Sequence, residues 1–149
     1  MTKSPSILVG VAGEYFVAGE LSRRGYIASI TLRNSKGVDI LASNHEATKQ
    51  VGIQVKTNHH GKPEWILNEK AETYYARNLF YVFVSLKGDR VRPDYYVVPS
   101  KVVADYVRSN HKEWLAAPGR KGQRHKDNPI RKFSDHRGKY LDKWQLLGI

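Results

Sequence analysis

The sequence predicts an α/β protein in which a mixed β-sheet is flanked by helices. One observation is the order of the segments, which is helix, three strands, helix, two strands, helix. Another is the largely apolar run Leu79–Leu86, which is typical of a strand buried on both faces. One sheet with helices packed on its faces accommodates this order. The 149 residues, 40% of them apolar, suffice for one domain with a hydrophobic core.

The N-terminal part begins with a helix. Apolar residues at spacings of three and four predict this helix from Ser6 to Arg24, with Gly25 ending it. Glu14 lies on the apolar stripe, whereas Glu20 lies off it, so we expect Glu20 to be solvated. Three strands follow, over residues 27–32, 38–43 and 50–57, with a turn over 34–37 between the first two.

The later elements are less regular. We expect a helix over 68–77, with a strand as the alternative because Tyr74 and Tyr75 favour extended structure. The strand over 79–86 precedes a strand over 95–98. A helix then runs from Lys101 to about Arg108, and Ser100 is its expected N-cap.

The charge is strongly positive and uneven. The net charge is +11 and the pI is near 9.9, which indicates a polyanionic partner. Residues 1–110 carry 15 Lys and Arg against 10 Asp and Glu, and residues 111–149 carry 10 against 4. We therefore divide the chain into a core over 1–110 and a basic C-terminal extension over 111–149 that packs on or near it.

The end of the extension is apolar. Tyr140, Leu141, Trp144, Leu146 and Leu147 form either a clip that docks on the core or a dimer contact.

Several classes of protein are excluded or disfavoured. The chain has no cysteine, so it has neither disulfides nor thiolate metal sites. The apolar run from Ile7 to Gly13 makes a poor signal peptide, and no segment reaches membrane-spanning length. We expect a cytoplasmic protein without a membrane partner.

Four polar residues interrupt apolar runs, namely Glu14, Asp39, Gln54 and Lys56. An unpaired charge is costly to bury, so each needs a partner. If Ser43 pairs with Gln50 across the hairpin connection, the antiparallel register brings Asp39 opposite Gln54, with Lys56 further along the same face. The set predicts a metal-dependent site for cutting phosphodiesters; the alternative is structural ion pairing, for example of Glu14 with Lys56.

The residue types suit a hard cation. Mg²⁺ prefers oxygen ligands, usually one or two carboxylates with water and substrate phosphate, and Mn²⁺ is a second candidate. Asp39 supplies a carboxylate, Gln54 an amide oxygen and Val55 a backbone carbonyl, while Glu14 can hold a metal-bound water. Lys56 is expected beside the attacking water or the developing negative charge.

These segments resemble the PD-(D/E)xK nuclease superfamily. The resemblance covers residues 8–105 and rests on Gly13-Glu14, on Gly37-Val38-Asp39-Ile40-Leu41-Ala42 and on Ile53-Gln54-Val55-Lys56-Thr57. Within this superfamily, the sequence is most similar in character to small archaeal Holliday junction resolvase-like members. Val38 stands in place of the motif proline and Gln54 in place of the usual acid, a substitution that Mrr-like restriction endonucleases share.

The resemblance implies the restriction endonuclease-like fold for the core. It also implies a Mg²⁺-dependent endonuclease acting on DNA, with Glu14, Asp39, Gln54 and Lys56 at the four motif positions. Branched or junction DNA is a candidate substrate, and cutting two strands requires a symmetric homodimer. The alternative is an inactive nuclease-like module that binds nucleic acid or a protein partner, which Gln54 favours.

Basic residues outside the motifs are candidate contacts to nucleic acid, with a solvated surface as the alternative. The candidates are Lys36, His59, Lys62, Arg120, Lys121, Arg124, Lys126, Arg131 and Lys132.

Overall fold

A computed structural model describes residues 5–32 and 36–149. Within them lie two α-helices, α1 over Ser6–Arg23 and α2 over Ser100–Ala116. The strands are β1 Ile27–Ile30, β2 Ile40–Ser43, β3 Gln50–Asn58, β4 Glu64–Asn68, β5 Leu79–Ser85, β6 Asp94–Pro99 and β7 Ile130–Ser134. Short 3-10 helices cover Glu69–Glu72 and Trp144–Leu147. The predicted turn over 34–37 lies largely outside the described residues.

Five strands form a mixed sheet in the order β1-β2-β3-β5-β6. The β3–β5 pair is parallel and the other pairs are antiparallel. The predicted mixed sheet flanked by helices is therefore confirmed.

Helix α1 packs on one face of this sheet because its apolar stripe meets the alternate side chains of the strands. Val17 and Leu21 of the helix join Ile53 and Val55 of β3 in one buried cluster. The remaining side chains of β3, including Gln54 and Lys56, therefore point to the opposite face.

Helix α2 and a two-stranded ribbon of β4 and β7 cover the opposite face. Val103 and Val107 of α2 join Phe83 of β5 in a second buried cluster. The ribbon adds Trp65, whose indole N–H donates a 2.9 Å hydrogen bond to the carbonyl of Val84, and Phe133, which stacks on Phe83.

The helix predicted over 68–77 is wrong. Only the 3-10 turn Glu69–Glu72 forms there, begun by the Asn68 side chain, which accepts a hydrogen bond from the Lys70 amide. The preceding residues alternate buried and exposed, with Trp65 and Leu67 inward, and form β4. Sequence reasoning missed both β4 and β7 because the two strands pair across more than sixty residues.

The start and length of α2 also differ from the prediction. The N-cap is Pro99 and makes no side-chain hydrogen bond. Ser100 is buried in the first turn, where its hydroxyl accepts from the amide of Ala76 and donates to its carbonyl. The helix continues past Arg108 to Ala116, so it crosses the sequence boundary placed at residue 110.

The C-terminal apolar segment docks on the rest of the chain, as the first of its two interpretations states. Trp144 and Leu147 are buried in the α1-side cluster, and Leu141 forms a β-bridge with Tyr96. Leu146 remains largely exposed.

The expectation that Glu20 is solvated is wrong. Glu20 is 7% exposed, and its Oε1 lies 3.3, 3.1 and 3.1 Å from guanidinium nitrogens of Arg23, Arg24 and Arg92. Arg92 comes from the connection between β5 and β6, which sequence spacing could not place beside α1.

Candidate active site

The crossing of α1 over β3 positions Glu14. Gly13 lies so close to Thr57 that an added Cβ would stand 1.7 Å from the threonine Oγ1. This contact fixes α1 above the C-terminal part of β3. Glu14 follows Gly13 on the helix and is half-buried. It lies on the helix that covers one face of the sheet, whereas Gln54 and Lys56 point to the other face.

Asp39 immediately precedes β2, at the point beyond which β3 has no paired residue in β2. The predicted register is confirmed from the Ser43–Gln50 pair to the Ile40–Ile53 pair. Asp39 then departs from a regular ladder. Its amide donates to the Ile53 carbonyl at 2.8 Å, and its Oδ2 accepts from the Val55 amide at 2.7 Å. Asp39 thus contacts the residues on both sides of Gln54 in the chain.

Gln54 and Lys56 are held by the parallel pairing of β3 with β5. Gln54 is the register partner of Tyr81, and Lys56 is the partner of Phe83. Both aromatic rings are buried, whereas Gln54 and Lys56 are half-buried. The structure therefore brings Asp39, Gln54 and Lys56 together on adjacent strands.

The environment of the Asp39 carboxyl disfavours its charged form. Burial raises its pKa above the ordinary value of 3.8, while the Val55 hydrogen bond and the charge of Lys56 act in the opposite direction. The charged form is therefore incompletely compensated by the protein. A cation at this carboxylate would supply the missing compensation.

Tyr74 belongs to the same site, although sequence reasoning did not single it out for chemistry. Gly37 has a φ of +75°, and a Cβ added to it would lie 2.3 Å from the Tyr74 hydroxyl oxygen. Burial is the main cause that raises the pKa of the Tyr74 hydroxyl, and the negative charge of Asp39 raises it further. Burial, with a smaller electrostatic contribution from Tyr74, raises the pKa of Tyr81 to about 12. Because Tyr74 lies in a loop far from Asp39 in sequence, no spacing pattern reveals this proximity.

A groove of about 370 Å³ opens at Lys56. Its walls come from the start of α1, from the end of β3 and from the β4–β7 ribbon. The lining includes Ser6, Lys56, His59, Ile66 and Lys132. A larger cavity of about 920 Å³ lies between α1 and the β5–β6 connection and contains none of Glu14, Asp39, Gln54 and Lys56.

The predicted nucleic-acid contacts fall into three groups. His59 and Lys132 line the groove at Lys56. Lys36 and Lys62 are exposed on loops beside the site, close in sequence to Asp39 and His59 respectively. The third group lies in the connection after α2, where the four candidates are all exposed, namely Arg120, Lys121, Arg124 and Lys126.

Arg131 differs from these residues because it is 7% exposed and has protein partners. Its Nε donates to Glu72 Oε1 at 2.9 Å, and its Nη1 donates to the carbonyls of Asn128 and Ile130. This network ties β7 to the 3-10 turn after β4. We therefore correct its assignment to a structural role and leave it out of the proposed DNA contacts.

The oxygen atoms around Asp39 could bind Mg²⁺ together with water and substrate phosphate. They could not form a site made of protein carboxylates alone. In the described parts of the chain, no three His, Asp or Glu side chains are grouped so as to hold a metal ion. Mg²⁺ usually retains waters and uses one or two carboxylates together with substrate phosphate. The Asp39 carboxylate, the Gln54 amide and the Val55 carbonyl meet that requirement in kind.

No protein-family model matches the sequence, and no curated protein matches it significantly. Two solved structures are similar to it. One is a bacterial homing endonuclease, I-Ssp6803I, at 12% identity with a TM-score of 0.58, covering 97% of this chain and 92% of that one. The other is Hjc of Archaeoglobus fulgidus, a Holliday junction resolvase from an archaeal hyperthermophile, at 16% identity with a TM-score of 0.52, covering 93% and 95%.

The chain has the restriction endonuclease-like fold of the PD-(D/E)xK nucleases. The expectation drawn from the three motif segments is confirmed at the level of fold. One neighbour is named as a homing endonuclease and the other as a Holliday junction resolvase, but a likeness at this identity carries the fold and not the activity. Among the described helices, none is long and apolar enough to span a bilayer.

Proposed function

We propose that the protein is a metal-dependent endonuclease that hydrolyses phosphodiester bonds in DNA. The observation that carries the proposal is the position of Asp39, whose carboxylate is held by the Val55 amide beside Gln54 and Lys56. A nuclease fold with an undersolvated carboxylate at this point is suited to binding a cation and a phosphate together.

Each residue has a defined role in the proposal. Asp39 and Gln54, with the Val55 carbonyl, hold the ion, and Glu14 orients water from the α1 side. Lys56 places its ammonium beside the attacking water or the negative charge that develops on the phosphate. When bound, Mg²⁺ or Mn²⁺ polarises the phosphate and lowers the pKa of a coordinated water.

The charge of the chain supports a DNA substrate. A net charge of +11 favours a polyanion, and Lys132 and His59 line the groove at Lys56. The neighbour named as a Holliday junction resolvase supports branched DNA as a candidate substrate, and the neighbour named as a homing endonuclease supports endonuclease activity. Cutting both strands requires two sites, which we propose are supplied by a homodimer.

A second function is a nuclease-like module that binds DNA or a protein without cutting. Gln54 favours it because an amide in place of an acid removes one negative charge from the ion site. This alternative predicts salt-sensitive DNA binding without metal-dependent turnover.

Cleavage of labelled duplex, single-stranded and four-way-junction DNA in Mg²⁺ or Mn²⁺ distinguishes the two functions. The informative variants are Asp39→Asn, which keeps the shape of the side chain, and Lys56→Gln, which removes the ammonium but leaves a polar side chain. Matched controls are Asp89→Asn and Lys49→Gln at exposed positions away from the site. We expect metal-dependent cutting that only the first two variants abolish. Binding of all three substrates with no product from the wild type would instead support the binding module.

A further inference from the structure

The β4–β7 ribbon has one face that the protein core does not use. Its inward face is buried through Trp65, Leu67 and Phe133. On its outward face, Ile66 is 65% exposed and Ile130 is 57% exposed. Ile66 pairs with Lys132, and Ile130 pairs with Asn68, so the two isoleucines are diagonal neighbours across the strands.

This outward face is continuous with the candidate active site. Ile66 and Lys132 line the same groove as Lys56. The ribbon is also anchored firmly, because Asn58 donates to the carbonyls of Lys62 and Glu64 at 2.7 and 2.8 Å. A molecule that places a phosphate at Lys56 therefore lies against the outward face of the ribbon.

The outward face carries Lys132, and the net charge of +11 on the whole chain favours a polyanion as the partner. Lys132 lies directly opposite Ile66 and two residues from Ile130 on β7, and His136 lies beyond the end of that strand. Glu64 is the acidic residue of this face, and its carboxylate is 3.3 Å from Lys132 Nζ and 3.1 Å from His136 Nε2. A phosphate would take the place of Glu64 beside Lys132.

The isoleucines indicate what else the partner presents. An isoleucine side chain makes no favourable polar interaction with a phosphate, but it can pack against the C5-methyl group of thymine. That methyl group is displayed in the major groove, which is about 12 Å wide and admits a two-stranded β-ribbon. Phosphate contacts fix position, whereas contacts to base edges confer sequence preference.

We propose that the outward face of the β4–β7 ribbon enters the major groove of duplex DNA beside the bond to be cut. Ile66 and Ile130 contact thymine methyl groups there, and Lys132 contacts the adjacent phosphate. The protein accordingly prefers thymine at defined positions near the cleavage site. This inference rests on the proposed function, since it takes DNA as the substrate.

Selection from a randomised duplex library tests the inference without requiring cleavage. The protein carries Asp39→Asn throughout, so bound DNA stays intact. Ile66→Ala and Ile130→Ala are compared with Ile7→Ala on α1, which removes the same side chain at a position that is also 65% exposed. We expect thymine to be enriched with the parent and with Ile7→Ala, and each ribbon variant to lose enrichment at its own position.

Replacement of an enriched thymine by deoxyuridine sharpens the test because it removes only the methyl group. We expect this change to weaken binding about fourfold for the parent, the effect of burying one methyl group, and not to weaken it for the matching ribbon variant. Equal sensitivity of parent and variant to deoxyuridine would overturn the inference.

The remaining outcomes are also decisive. Strong DNA binding without base preference overturns the ribbon inference and leaves the proposed function intact. Absence of DNA binding by the parent contradicts both. A ribbon variant that changes the sedimentation coefficient of the free protein shows that a second copy covers this face, and it overturns the inference as well.

Discussion

The amide of Val55 donates a 2.7 Å hydrogen bond to Oδ2 of Asp39, and this bond joins the start of β2 to the strand that carries Gln54 and Lys56. It orients the carboxylate at the edge of β3 that β2 leaves uncovered. Burial at the same position raises the carboxyl pKa. The site thus combines rigid placement with an unfavourable environment for the free anion.

The first prediction concerns stability at neutral pH. The pKa of Asp39 is raised in the folded state, so the folded chain binds more protons than the unfolded chain between the two pKa values. The contribution of this group is therefore most favourable below the ordinary pKa and declines as pH rises through the raised value. We expect Asp39→Asn to increase the melting temperature at pH 7 while abolishing cleavage, as thermal unfolding followed by circular dichroism can measure.

Lowering the pH should decrease cleavage activity, although it makes the contribution of Asp39 to stability more favourable. The ion-binding form of Asp39 is the carboxylate, so metal-dependent cleavage should fall as pH decreases through the raised pKa. Added Mg²⁺ should shift this loss to lower pH because the ion competes with the proton. A pH profile that does not respond to Mg²⁺ concentration would contradict the assignment of Asp39 as a ligand.

The contact between Gly13 and Thr57 yields a test of helix placement. Gly13→Ala puts a Cβ 1.7 Å from Thr57 Oγ1, so α1 must move, and we expect a loss of about 1–3 kcal/mol in the free energy of unfolding. Gly10→Ala is the control, since no atom lies within 4 Å of its added Cβ. That control should be stabilised by up to about 1 kcal/mol through helix propensity. Urea denaturation measures both.

Gly37 and Tyr74 test whether the loop before Asp39 matters for chemistry. Gly37→Ala strains a positive φ and collides with the Tyr74 ring, whereas Gly25→Ala strains a positive φ in open space. Gly25→Ala should lose about 1 kcal/mol of stability through the strained φ, and Gly37→Ala should lose more because it also collides with Tyr74. Only Gly37→Ala should reduce cleavage, by about tenfold or more through displacement of Asp39. Tyr74→Ala in the Gly37→Ala background should restore part of the activity; a failure to do so would argue against the steric explanation.

Arg131 and Lys132 are neighbours in sequence with opposite predicted effects. Lys132→Ala should leave the melting temperature unchanged and reduce the slope of log binding constant against log salt by about one. Arg131→Ala should remove the buried guanidinium that bonds Glu72 and should destabilise the ribbon by about 1–3 kcal/mol. Salt-dependent fluorescence anisotropy and thermal unfolding separate the two effects.

The sequence was informative where interactions are local. The β2–β3 register followed from a six-residue connection and alternating side chains, and it was enough to bring Asp39 close to Gln54. The pairing of β4 with β7 was missed because nothing local identifies a strand partner more than sixty residues away.

The same limit explains two errors at single residues. Glu20 was expected in solvent because helical spacing shows only its own helix, and Arg92 arrives from a distant loop. Arg131 was expected to grip phosphate because composition does not distinguish a buried guanidinium from an exposed one. Both residues became interpretable only once their partners were located.

The most direct test of the central claim is single-turnover cleavage of labelled duplex and junction DNA in Mg²⁺ by the wild type and by Asp39→Asn. Binding of the same DNA is measured in parallel with metal omitted. We predict cleavage by the wild type, a loss of about a hundredfold to a thousandfold with Asp39→Asn and unchanged metal-free binding. Equal cleavage rates for the two proteins would contradict the assignment of the active site to Asp39, Gln54 and Lys56.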